Sequence, residues 1–130
     1  MPREYFKGER EESRGFSPAV TTRGGRTIWL SGMTARQDEA GNSLAGNFEA
    51  QVHGVFRKIE KTLERAGGTL QDLVTTTVFI LDVRHGPQFG DIRKQYFGKG
   101  YPASAQITVA GFAHPDIMVE VQAVAVVGDE

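Results

Sequence analysis

The chain reads as an α+β fold in which a single sheet carries two helices on one face, in the order ββαβαββ. Three observations predict it. Apolar residues recur at spacings of three and four in two separate segments, the spacing of a helix with one buried stripe. Between and around those segments lie runs rich in β-branched and aromatic residues, which suit a pleated, covered surface. No repeat or linker interrupts the 130 residues, so both patterns belong to one core, large enough to bury roughly two-thirds of the unfolded surface.

Taken in order, residues 1–13, "MPREYFKGEREES", are mixed in charge and read as an N-terminal extension, leaving residues 14–130 as one domain. Residues 16–20 and 26–32 read as two strands joined by "TRGG" as a hairpin. Residues 34–46 are polar and glycine-containing, hence an exposed loop. From Asn47, a plausible N-cap, the row Phe48, Val52, Val55, Phe56, Ile59 and Leu63 predicts a helix that stops at Gly67-Gly68. "TLQDL" is a single turn, and residues 74–83, "VTTTVFILDV", are a central strand covered on both sides. Phe89, Ile92, Tyr96 and Phe97 predict a shorter helix, followed by strands over 105–110 and 117–127.

The last strand defines the functional question. Ile117, Val119, Val121, Ala123 and Ala125 form one row, apolar enough to meet the helices, and Met118, Glu120, Gln122, Val124 and Val126 form the other. Two helices cover only one side, so the second row needs another cover, and self-association is the simplest. Glu120 then lies at or near a subunit boundary, a favoured place for a small-molecule cleft. A lone carboxylate in an uncharged strand row is costly to bury without a purpose.

Composition narrows the function. Fifteen Lys and Arg against sixteen Asp and Glu give a net charge of −1 with no basic stripe, which argues against a nucleic-acid surface. The absence of cysteine removes thiol nucleophiles, thiolate metal sites and disulfides. No run approaches the roughly 18 apolar residues of a membrane span, so the expected setting is cytoplasmic.

The hairpin "TIWLSGM", the strand "TTVFILDV", the approach "YFGKGYPAS" and the closing "HPDIMVEVQAVAVV" together resemble the Rid (reactive intermediate deaminase) or YjgF family. That resemblance implies a chorismate-mutase-like fold, a homotrimer with clefts between subunits, and hydrolysis of enamine or imine metabolites to a carbonyl compound and ammonia without a metal or organic cofactor. It places the family's site acid on Glu120 and its "SGQ" turn on Ser31, Gly32 and Met33. The opening "RGFSPAV" puts Arg14 and Phe16 at the site, with Phe16 where the family usually has tyrosine. In "YPASAQITV", Ser104 stands where the deaminase branch has a carboxylate-gripping arginine. An arginine offers two parallel charge-assisted bonds and a serine one neutral donor. The expected substrate is therefore an atypical imine rather than a simple 2-imino acid, with Arg14 as a candidate for partial compensation.

Glu120 is thus the expected catalytic group, and Ser104, Phe16, Ser31, Gly32, Met33 and Arg14 the expected substrate-binding set. His114 lies in the turn sequence "AHPD", and His53 and His85 are isolated, so no metal site is expected. Trp29 and Phe79 read as core residues. The alternative to an enzyme is a trimer that binds a metabolite without turning it over; a ribonuclease or translation inhibitor is disfavoured by the balanced charge and the missing histidine pair.

Overall fold

The computed structural model describes residues 3–98 and 100–129. Along the chain the elements are β1 (Glu4–Tyr5), α1 (Glu9–Arg14), β2 (Val20–Thr21), β3 (Arg26–Trp29), α2 (Phe48–Arg65), β4 (Leu73–Ile80), α3 (Gly86–Lys94), β5 (Ala103–Thr108) and β6 (Val119–Val127). The main sheet has the order β3-β6-β4-β5. Only β4 and β5 run parallel, joined by the α3 crossover.

The long helix follows its sequence signals. Asn47 Oδ1 accepts from the Ala50 N–H at 3.0 Å, satisfying one of the free donors at the helix start. The row Phe48, Val52, Val55, Phe56, Ile59 and Leu63 is buried against the sheet. From the sheet, Val78, Ile80, Val119, Val121, Ala123 and Ala125 meet it, so one face of the closing strand is core, as its alternation predicts. Each large apolar side chain so closed from water contributes about 1.5–3 kcal/mol. Gln51 is buried in the same helix because all its polar atoms find partners. Its Nε2 donates to the carbonyls of Leu44 and Asp116 at 3.0 and 2.8 Å, and its Oε1 accepts from the Met118 N–H at 2.9 Å. One amide thereby ties the helix to both segments that lead into the site.

Three expectations are corrected. The first hairpin does not form, because β3 pairs with β6 while β2 pairs with β1. Of the strand expected over 16–20 only Val20, with Thr21, is in a strand; Ser17 makes an isolated parallel bridge to Ala103, its N–H donating to the Pro102 carbonyl at 3.0 Å, and Pro18 is a bend. Alternation marks a segment as a strand and leaves its partner open. The segment ahead of Arg14 is not a bare extension: it supplies β1 and α1, and the Arg3 guanidinium reaches Asp129 at 3.3 Å. Trp29 is no core residue. It lies in register with Val124 on the sheet face away from the helices and is 78% exposed. Phe79, on that same face, is half-buried.

Candidate functional site

Glu120 stands opposite Phe79 of the central strand, on the face without helices. Its surroundings are shaped by an irregularity just past β3. Leu30 N–H donates to the Ala123 carbonyl at 3.1 Å, and Met33 and Val121 exchange backbone bonds at 2.9 and 3.1 Å. One strand thus takes an extra residue relative to the other between those two pairings. Ser31 and Gly32 are the bulge, and bulges commonly re-aim neighbouring groups beside active sites. The result brings Gly32 so close to Glu120 that a methyl group added at Gly32 would overlap the carboxylate. The half-buried carboxylate therefore lies along a glycine backbone, with no ion-pair partner among the described residues.

Ser104 faces the other way. It is in register with Thr76, a residue closed under the helices, and Thr76 Oγ1 donates to Ser104 Oγ at 3.0 Å. Positions 76 and 79 of one strand point to opposite sides, so Ser104 and Glu120 occupy opposite faces of the sheet. The expected site residues accordingly form two groups within a protomer. Glu120, Ser31 and Gly32 gather on the open face, while Ser104, Phe16 and Arg14 line a cleft of about 530 Å³ on the helix side of the β5 edge; Met33, expected with Glu120, pairs with the inward-facing Val121 and packs on the core instead. Phe16, expected at one site with Glu120, lies within the protomer in the Ser104 cleft.

That cleft contains a residue the sequence reading passed over. Arg93 of α3 is only 4% exposed. Its Nη1 donates to Ser104 Oγ at 3.1 Å and its Nε to the Arg14 carbonyl at 3.0 Å. The guanidinium carbon lies 5.1 Å from the centre of the Phe16 ring and 5.4 Å from that of Phe89, within the range of cation–π attraction. Burial pushes the Arg93 guanidinium down to about 10, so it remains charged at neutral pH. The signal lay in the helix pattern. Arg93 follows Phe89 by four positions and precedes Tyr96 by three, on the stripe that carries the apolar residues. Counting apolar positions alone hid it.

Local structure explains the grip on α1. Gly15 adopts a left-handed conformation, φ 86°, immediately after that helix, and a side chain there would press on Lys94 and Arg93. The Arg14 carbonyl at this end is the one that Arg93 takes. The side chain of Arg14 is exposed at the cleft, and the guanidinium bonded to Ser104 is that of Arg93.

The remaining candidates fall outside both groups. His114 is bonded to Arg36 Nη2 at 2.7 Å, and His53 to the Tyr96 hydroxyl. His85 stacks on Phe48 with ring centres 4.2 Å apart. A second, larger concavity of about 670 Å³ lies between residues 37–47 and α2, walled largely by exposed charged side chains such as the Lys61–Glu39 pair. Among the described residues no group of three His, Cys, Asp or Glu side chains is placed to hold a metal ion. Among the described residues no helix is long and apolar enough to cross a membrane.

Comparison with known proteins gives a consistent picture. The family model described as endoribonuclease L-PSP matches residues 9–127. A RutC family protein of Pyrococcus abyssi is 29% identical over 101 residues, covering 78% of this chain and 79% of the relative. The human 2-iminobutanoate/2-iminopropanoate deaminase is 29% identical over 103 residues, covering 79% of this chain and 74% of the enzyme. Among solved structures, a Rid-family protein of unknown function from Yersinia pestis superposes with a TM-score of 0.86 at 23% identity, covering 98% of this chain and all of the other.

Proposed function

Since this chain belongs to the endoribonuclease L-PSP family, the Rid/YjgF proteins, we propose that it hydrolyses an imine or enamine metabolite, with Glu120 as the acid–base group. The observation that carries the reading is the placement of Glu120, the one carboxylate in its strand row, laid against the backbone of the Ser31-Gly32 bulge.

In this reading the Glu120 carboxylate accepts a proton from water as the water oxygen bonds to the C=N carbon. The imine nitrogen takes up a proton from solvent, giving a carbinolamine. Collapse to the carbonyl expels ammonia, with Glu120 returning its proton to the departing nitrogen and the hydroxyl proton passing to solvent. Proton transfer by a positioned side chain is worth roughly 10²–10⁴ in rate. An enamine first tautomerises to the imine and then follows the same course.

Two halves on opposite sheet faces cannot meet within one protomer. The reading therefore includes a homotrimer, in which Glu120 of one protomer faces the Ser104 cleft of the next. The open face supports this: Ile107 and Trp29 expose apolar area that self-association would cover.

The test is turnover of 2-iminopropanoate and 2-iminobutanoate, generated in situ, by wild type and by Glu120→Gln. The expected result is measurable wild-type hydrolysis that falls roughly 10²–10⁴-fold in the variant. Equal rates in the two proteins would remove Glu120 from the chemistry. Binding of the product oxo acid without any turnover would make the protein a metabolite-binding trimer instead.

A further inference from the structure

We infer that Arg93 is the carboxylate-binding residue of this site, so that the substrate is an anionic imine, one with a carboxylate next to its C=N bond. The inference rests on the hydrolase reading above for the identity of the anion, and on the geometry of the cleft for the receptor.

The first ground is an uncompensated charge. A buried guanidinium is ordinarily paired with an acid, because removing it from water costs several kcal/mol that a counter-ion offsets (about that order). Arg93 is buried, yet its hydrogen bonds go to a hydroxyl and a carbonyl, both neutral. The walls of its cleft carry three arginines, Arg10, Arg14 and Arg93, against the single acid Asp91, in a chain whose net charge is −1. Positive charge is concentrated at one concave place in an otherwise balanced molecule, which draws anions to it.

The second ground is the donor pattern. Nε and Nη1 are occupied and fix the plane of the guanidinium, and the Phe16 and Phe89 rings pack against it. Nη2 takes no partner among the described residues. It is also not sealed from solvent, since the one buried side-chain nitrogen or oxygen there without a partner is His85 Nδ1. Ser104 Oγ accepts from both Thr76 and Arg93, which leaves its own hydrogen to donate. A charged N–H and an O–H, held on adjacent groups at the wall of one cleft, are a two-point receptor for the two oxygens of a carboxylate.

The resemblance had put Ser104 where a strand arginine would stand, and the loss of positive charge followed from reading the strand alone. The guanidinium comes from the neighbouring helix instead. Ser104 is then the small residue that lets Arg93 in, since a long side chain at 104 would occupy the same place.

A binding measurement tests this without requiring catalysis. Titrate the wild type with 2-oxobutanoate and, separately, with its uncharged amide. The acid is expected to bind tenfold to hundredfold more tightly, the ratio that a lost charge-assisted contact of roughly 1.5–3 kcal/mol gives. In Arg93→Gln that ratio should shrink to near one, and in Arg93→Lys it should be intermediate, with KM for the imino acid rising and kcat changing little. Thermal melts establish that each variant is folded. If Arg93→Gln does not fold, the wild-type ratio and Arg93→Lys decide. Equal wild-type affinity for acid and amide, or a folded Arg93→Gln that keeps the preference, overturns the inference. The outcomes separate from those of the hydrolase reading: an Arg93-dependent preference for the acid without Glu120-dependent turnover sinks the hydrolase and leaves the receptor standing.

Discussion

On the helix side of the sheet Val78, Ile80, Val119 and Val121 are closed from solvent and the polar groups among them are paired, as Gln51 and Thr76 illustrate. On the other side Trp29 is 78% exposed, Ile107 is 43% exposed, and Glu120 lies along a glycine without an ion-pair partner among the described residues. The two faces of the same strands therefore do different work. One holds the fold together, and its substitutions are read in stability. The other contributes little to folding of the protomer, so its side chains are free to be chosen for chemistry and association.

That contrast can be broken by substitution. The largest effect belongs to the packed face: Phe56 stacks on Phe89 and Tyr96 and meets Phe97 edge-on, and Phe56→Ala should cost about 3–5 kcal/mol in denaturant melts. A cost below about 1 kcal/mol would mean that the helix face is not where stability resides. Next comes Gly32→Ala on the open face. The added methyl displaces the Glu120 carboxylate, whose flexible end can move, so activity should fall roughly 10²-fold from misplacement alone while the melting temperature changes little. A large loss of stability there would show that the bulge is structural rather than positional.

Two smaller effects sharpen the picture. Asn47→Ala removes the cap of α2 and should lower stability by ~1 kcal/mol, with kcat unchanged, because the helix end is distant in role from either half of the site. Trp29→Ser should alter protomer stability by no more than about 0.5 kcal/mol, an exposed position offering little to lose. In sedimentation the same change should weaken self-association. A stable wild-type monomer at micromolar concentration would end the trimer reading and, with it, the meeting of Glu120 and Ser104.

Legibility in the sequence followed the same division. The long helix was readable because burial and period coincide over 18 residues and Asn47 and Gly67 mark its ends. The inward row of β6 was readable for the same reason. The pairing of β3 was not, since period two says that a segment is extended and is silent on its neighbour. Nor could the sequence show that Ser104 and Glu120 sit on opposite faces. That relation depends on the register of β5 and β6 against β4, two pairings between strands far apart in the chain. Arg93 was visible in principle, as a charge on an apolar helical stripe. Its meaning required knowing that the stripe passes over Ser104.

Trp29 is the protein's only tryptophan, and it projects from the uncovered face. Indole emission shifts to shorter wavelength when the ring leaves water, so the chain carries an intrinsic optical reporter on the surface whose covering is in question. Emission spectra recorded across a dilution series would follow that covering directly, without a label, and the midpoint of the spectral shift would give the association constant of the intact protein.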